Sequence, residues 1–257
     1  MSPETRVLIA LGLFGLVMGS GVTALAHRVP RHESWVHGRS RCPKCGHVLG
    51  VLDLFPVLSW LLSRGRCRHC AAPVAWRYPL TELLCGAWAV AVFLHDGLTP
   101  VYPLVAIWGF LLIALLWIDL DFQLLPDVLT LPGTLIAIAA ALLGPVGVQQ
   151  AMFGMLCGAG LLWLVAEAYF RIRKIEGMGG GDIKLAAMFG ALLGGPLALM
   201  TIFVAALFGS IWGLSLLARR KGDGMTALPF GTLLCPAAMI VYLFGDGWFR
   251  AYAGLFH

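Results

Sequence analysis

The chain has 257 residues, 60% of them hydrophobic and 12% charged, and a formal net charge of +5; its mean hydropathy is +0.87. A soluble domain is nearer half apolar and a quarter charged, so an ordinary soluble enzyme, a disordered segment and a collagen-like fibre are excluded. The apolar runs are continuous and helix-length, as in Val101 to Ile118, which excludes an outer-membrane barrel and predicts an all-α polytopic membrane protein.

Apolar stretches fall near 7–26, 80–95, 101–118, 128–147, 150–170, 183–194, 196–218 and 231–245. They predict about eight transmembrane helices, the second, sixth and eighth short. With the N-terminus outside, the inward segments are 27–79, 119–127, 171–184 and 218–230. These hold 16 of the 18 Lys and Arg, all but Arg6 and Arg250, and that bias sets the orientation. Topology thus accounts for the positive charge, and no nucleic-acid partner is implied. Ala24-Leu25-Ala26 looks like a signal-peptidase site, but a cleaved signal has its basic residues before the apolar run. Here they follow it, at Arg28, Arg31, Arg39 and Arg41, so the first run is expected to remain as a helix. The predicted organisation is a first transmembrane helix at 1–26, a cytosolic insertion at 27–79 and a membrane bundle at 80–257.

Within the insertion stand Cys42-Pro-Lys-Cys45 and Cys67-Arg-His-Cys70, two CxxC pairs separated by 21 residues. Two such turns aim four thiolates at one ion, a closed tetrahedral site suited to structural zinc and without the open position that catalysis needs. A dithiol redox role is the alternative, and thiolates also take iron or other soft metals. Arg41, Lys44, Arg64, Arg66 and Arg68 crowd the pairs; they would stabilise thiolates or meet anionic lipid head groups. Cys85, Cys157 and Cys235 lie in apolar spans and read as packing residues.

Two acidic clusters close apolar spans on the inward side. One contains Asp119, Asp121, Pro126 and Asp127; the other runs Glu176-Gly177-Met178-Gly179-Gly180-Gly181-Asp182. Acids at a membrane boundary are costly and invite a functional reading. Glycines before Asp182 allow close backbone approach, and Asp182 opens a helix whose N-terminus favours the ionised carboxylate. Two carboxylates close together could divide the work, one activating water and the other protonating a leaving amine. Asp121, Asp127 and Asp223 read first as solvated loop acids or helix caps. Glu82 and Glu167 are as well explained by hydrogen-bonded structural roles as by catalysis. The glycine-rich run lacks the GKS or GKT ending of a P-loop, which argues against nucleotide hydrolysis.

The sequence resembles the bacterial type IV prepilin peptidases, membrane aspartic proteases of the GxGD class. The residues that carry the resemblance include Gly19-Ser20, His27-Arg28-Val29-Pro30, Arg41-Cys42-Pro43-Lys44-Cys45-Gly46, Asp53, Pro56, Leu58-Ser59-Trp60-Leu61, Arg64 to Cys70, Arg77-Tyr78-Pro79-Leu80, Glu82 and both acidic clusters. The resemblance implies that Asp119 and Asp182 are the catalytic pair, with Pro126, Gly179 and Gly181 as supporting motif residues and Asp121 as runner-up for the first acid. It further implies cleavage of type IV prepilins or pseudopilins after a glycine ending a basic leader. S-adenosylmethionine would then methylate the new amino group, since the long cysteine-bearing insertion is retained. The expected location is the bacterial inner membrane, with the N-terminus periplasmic and both the insertion and the active site cytosolic. Gly21-Val22-Thr23 and Ala75-Trp76 depart from the usual pattern, and the sequence names no residue for the methyl donor and no oligomeric state. Segment 171–182, with four glycines, is the expected gate. Two rival readings remain, a cation transporter using membrane acids and a noncatalytic membrane scaffold presenting its zinc module.

Overall fold

The computed structural model describes residues 2–34, 38–175, 177–218 and 229–254. Glu176 and Asp223 lie outside the described residues. The helices are α1 (Pro3–Arg28), α2 (Leu58–Leu62), α3 (Arg77–Asp96), α4 (Tyr102–Phe122), α5 (Asp127–Leu143), α6 (Gly147–Arg173), α7 (Gly180–Leu193), α8 (Gly195–Ala218) and α9 (Gly231–Ala253). Among the described residues there is no strand, only the isolated antiparallel bridges Arg41 to Val48 and Arg66 to Pro73. All eight expected apolar stretches are helical, and six are long and apolar enough to cross a membrane: α1, α3, α4, α6, α8 and α9. The second and eighth stretches are longer than the sequence suggested, at 20 and 23 residues. The fourth is shorter, because α5 stops after 17 residues at Leu143. Gly144 ends it in an extended conformation, and Pro145, one residue later, cannot continue a helix. The sixth, α7, is short as expected, with 14 residues.

The chain divides into two compact units, Met1–Tyr102 and Pro103–His257. In the first, α1 packs against α3. Ser2 caps α1 by accepting the Thr5 N–H through its hydroxyl at 3.1 Å, with Pro3 in the first turn, a sound helix start. Gly15 and Gly19, four residues apart, let the two helices touch. A Cβ at Gly15 would lie 2.5 Å from the Cys85 carbonyl oxygen, and one at Gly19 would lie 2.5 Å from Glu82 Cα. This is small-residue packing of the kind that joins helices in lipid.

In the second unit α4 is buried on most of its circumference, with Val105, Trp108, Leu112, Ala114, Leu115 and Ile118 fully enclosed. A helix apolar all round belongs in such a core. The short α7 packs against α5, α6, α8 and α9. Its Leu185, Ala186, Met188 and Phe189 are fully buried, so helices rather than lipid surround most of it. Gly154 and Gly158 of α6 face Gly190 and Ala186 of α7 backbone to backbone. Large apolar side chains such as Leu156, Leu164, Phe203 and Leu214 are exposed, as a lipid-facing surface requires.

Gly154→Leu is expected to force α6 from α7, lowering stability by about 1–3 kcal/mol. A purified variant should show a lower unfolding midpoint in detergent, whereas Gly160→Leu, at a position where an added Cβ would meet nothing within 4 Å, should not.

Candidate active site and metal centre

The second unit brings the two sequence-predicted aspartates to one place, the first turn of α9. Asp119 lies in the last turn of α4, 4% exposed. Its backbone carbonyl accepts the Gln123 N–H at 2.8 Å, and Gln123, at φ 52, takes the left-handed conformation that ends the helix. Asp119 Oδ2 accepts two hydrogen bonds from Thr232, from its N–H at 2.6 Å and its hydroxyl at 2.9 Å. The first N–H groups of a helix have no partner within it, so α9 supplies a donor that costs it nothing. Asp182, third residue of α7 and 8% exposed, lies near the Gly231 N–H and within electrostatic reach of Asp119. Cys235, one turn further along α9 and fully buried, lies within electrostatic reach of both acids.

Glycine is required at two points around this pair. A Cβ on Gly231 would sit 2.9 Å from Asp119 Oδ2 and 3.0 Å from Leu125 Cδ1; one on Gly181 would sit 2.9 Å from Leu125 Cβ. Leu125 therefore fills the space that both glycines leave. Gly179 caps α7 with extended backbone, and a Cβ there would meet nothing closer than 4.0 Å. Of the two motif glycines, Gly181 is thus explained by close approach, and Gly179 by neither crowding nor a positive φ. Pro126 sits at the N-cap of α5, its carbonyl accepting the Leu129 and Thr130 N–H groups at 3.0 and 3.1 Å.

The other acids stand apart from the pair. Asp127 is exposed and bonds Lys184 Nζ at 2.6 Å, linking the starts of α5 and α7. Asp121 is exposed, and Glu167 pairs with Arg171 at 2.6 Å on the surface of α6. Thr232 and Gly231 were missed by sequence reasoning. Their signal was Pro229-Phe230-Gly231-Thr232 at the head of the last apolar run, a helix start with polar donors beside an inward boundary.

In the first unit, Cys42, Cys45, Cys67 and Cys70 converge, with all four sulfurs within 4.8 Å of one another. Cys42 and Cys70 Sγ are 3.8 Å apart, close to the edge of about 3.8 Å that a tetrahedron of Zn–S bonds of about 2.3 Å would have. The two turns match. Cys42 N–H bonds His47 O and Gly46 N–H returns to Cys42 O, both at 2.9 Å; Cys67 N–H bonds Ala72 O at 2.8 Å and Ala71 N–H returns to Cys67 O at 2.9 Å. Gly46 and Ala71 hold equivalent left-handed positions, φ 69 and 56. Backbone N–H groups of Cys45, then Lys44, draw the Cys42 thiol down to about 6. The Ala72 N–H draws on Cys70 likewise, but desolvation and the neighbouring thiols outweigh it and push Cys70 up to about 12. Four thiols this close resist ionising together unless a cation joins them, so the donor set fits a soft divalent metal.

Two family models match the chain. One, described as the bacterial peptidase A24 N-terminal domain, covers residues 13–96, and the other, described as the type IV leader peptidase family, covers residues 104–214. The chain is 36% identical to a prepilin leader peptidase/N-methyltransferase of Aeromonas hydrophila, over 93% of this chain and 91% of that protein. Proteins of the same name show 34% identity in Stutzerimonas stutzeri, over 95% and 93%, and 39% in Myxococcus xanthus, over 84% and 66%. No solved structure matches the chain.

Elemental analysis of the purified chain should find one tightly held metal ion, and Cys42→Ser or Cys70→Ser should lose it. Metal-free wild type that keeps a folded insertion would contradict the tetrahedral site.

Proposed function

The chain belongs to the type IV leader peptidase family, and we propose that it cuts the basic leader from type IV prepilins and related pseudopilins with Asp119 and Asp182. It then N-methylates the residue so exposed. The observation that carries the proteolytic reading is the convergence of two buried carboxylates on the first turn of α9. Amide hydrolysis needs an activated water and a protonated leaving nitrogen. Two facing carboxylates supply both when they share one proton. The ionised member takes a proton from water as its oxygen attacks the scissile carbonyl, and the other gives its proton to the departing amine. The pair titrates as a unit, so these roles belong to the pair. Thr232 fixes Asp119 Oδ2 through two bonds, leaving Oδ1 for water.

The concentration of basic residues in the inward segments supports an inner-membrane orientation with the N-terminus periplasmic and both centres cytosolic. A prepilin joins a basic leader to a long apolar helix. Held in the same bilayer, it would offer its scissile bond near that face, where water reaches the carboxylates. The four cysteines would hold a structural zinc, whose closed coordination stabilises a segment with little apolar core of its own. S-adenosylmethionine supplies an electrophilic methyl group. When bound, it would supply that methyl group to the newly exposed amine.

Mass spectrometry of a prepilin incubated with the purified chain and S-adenosylmethionine should show loss of the leader and gain of one methyl mass. Asp119→Asn and Asp182→Asn should each slow cleavage by roughly a thousandfold. Thr232→Val should slow it by about tenfold, the cost of one hydrogen bond to a charged acceptor. Cleavage by both aspartate variants at the wild-type rate would turn attention to Asp121 and Asp127.

A further inference from the structure

Segment 51–62 of the insertion has its polarity turned inside out. Leu58, Leu61 and Leu62, spaced to share one face of α2, are exposed, whereas Ser59, Trp60 and Ser63 line the inner cavity of this unit. Trp60 is fixed there by donating its Nε1–H to Val74 O at 3.1 Å. Val51, Leu52 and Phe55, just upstream, are exposed too, and the exposure is large, 83% at Val51 and 76% at Leu62. A helix surrounded by water buries its apolar face and shows its polar one. Here the serines face inward and the leucines outward, and an apolar surface of this kind marks a contact with something else. The segment's one charged residue, Asp53, takes no part in that surface. It lines the cavity, accepts the Gly50 N–H at 3.1 Å and meets Arg68 Nε at 3.5 Å.

The chain's connections fix where this surface can be. Both α1 and α3 are long and apolar enough to cross a membrane. The insertion leaves the end of one and enters the start of the other, so both its ends are held at one membrane face. The Val57 N–H donates to Glu82 Oε2 at 2.7 Å, and Glu82 stands in the second turn of α3. The apolar segment is therefore fastened to a membrane-crossing helix close to where that helix begins. Trp76 and Tyr78, exposed at the same place, are residue types that favour the boundary between lipid and water. Arg64 and Arg66, exposed immediately after Leu62, bring positive charge suited to anionic head groups.

We infer that segment 51–62 lies in the interface of the bilayer that α1 and α3 cross, with its exposed apolar side chains among the acyl chains and Arg64 and Arg66 at anionic phospholipid head groups. The insertion is then a membrane-embedded element and not a domain standing free in water. Lipid fits this surface better than a protein partner does. The exposed face of Val51, Leu52, Phe55, Leu58, Leu61 and Leu62 offers no hydrogen-bonding side chain to specify a protein, and lipid needs none. Lipid is also already present wherever α1 and α3 are. The inference depends on those two helices crossing the membrane and on neither activity proposed above.

The test uses the purified full chain with a small environment-sensitive fluorescent amino acid in place of Leu58 or, separately, Leu62, reconstituted into nanodiscs of phosphatidylcholine and phosphatidylglycerol. Lipid brominated on its acyl chains quenches from within the bilayer, and acrylamide quenches from water. An unfolding midpoint equal to that of wild type establishes that each labelled chain is folded, and two positions guard against one label that perturbs packing. Each label should lose roughly half its emission in brominated lipid, the behaviour of a side chain seated at the acyl boundary. Acrylamide should quench it severalfold less than it quenches the free fluorescent amino acid. Omitting phosphatidylglycerol should reduce the bromine quenching, and Arg64→Gln with Arg66→Gln should remove that dependence on lipid charge. No bromine quenching with full acrylamide access would place the segment in water, and shielding from both quenchers would place it against protein. Either result overturns the inference, and bromine quenching indifferent to phosphatidylglycerol overturns the role given to the two arginines.

Discussion

A carboxylate can be held inside a membrane bundle only if other groups take over the hydrogen bonds that water would make. In the second unit the first turn of α9 does this. Thr232 donates twice to Asp119, and the preceding Gly231 N–H faces Asp182. The donors are the unpaired N–H groups that every helix start provides, so no additional polar side chain beyond the threonine hydroxyl is needed. That economy constrains the surroundings. Gly231 has no side chain because the Asp119 carboxylate and Leu125 occupy the space, and Gly181 has none because Leu125 reaches it from the other side. The acid pair, the two glycines and Leu125 form one packing unit in which each residue limits the others.

The insertion meets a different constraint. From residue 38 to 76 it has one five-residue α-helix, a three-residue 3-10 helix at Val51–Asp53 and two isolated bridges, too little secondary structure to hold itself together through its own apolar core. A metal held by the four converging cysteines would fill that deficit. The two cysteine turns repeat the same hydrogen bonds, and each ends in a left-handed residue that turns the chain back toward the paired thiols. Glycine does this without strain at position 46; Ala71 does it at a steric cost, which metal coordination on either side of the turn can offset.

Much of this was legible in the sequence because the forces involved leave periodic or spaced traces. Continuous apolar runs marked all eight long helices, and CxxC spacing marked the four cysteines that converge. The charge bias put Asp119 and Asp182 at the same membrane face, a precondition for their meeting. What was not legible depends on partners distant in sequence. Thr232 lies 113 positions from Asp119, and no local pattern announces a donor for so remote an acid. Gly15 and Gly19 mattered only once α3 was known to be their neighbour. The end of α5 was misjudged for another reason: hydropathy continues past Gly144-Pro145 into Val146, but backbone geometry does not. Val57, at φ 59, was invisible for the opposite reason, since a β-branched residue is among the least expected in that conformation.

Val57 also connects the two units' use of acids. Its strained turn presents an N–H to Glu82, as the first turn of α9 presents N–H groups to Asp119 and Asp182. In each case a buried or half-buried carboxylate is anchored by the backbone of a different element, so each acid is at once a charge and a fastening. The two roles separate chemically. An amide side chain retains an oxygen that can accept the same N–H, and loses the charge and the exchangeable proton. The fastening therefore requires only an acceptor, whereas the acid and base roles proposed for Asp119 and Asp182 would require the carboxylate itself. Evolution of such sites is constrained more tightly by the chemistry than by the fold, and a structure that survives the loss of charge is the expected consequence of anchoring acids on backbone donors instead of on opposite charges.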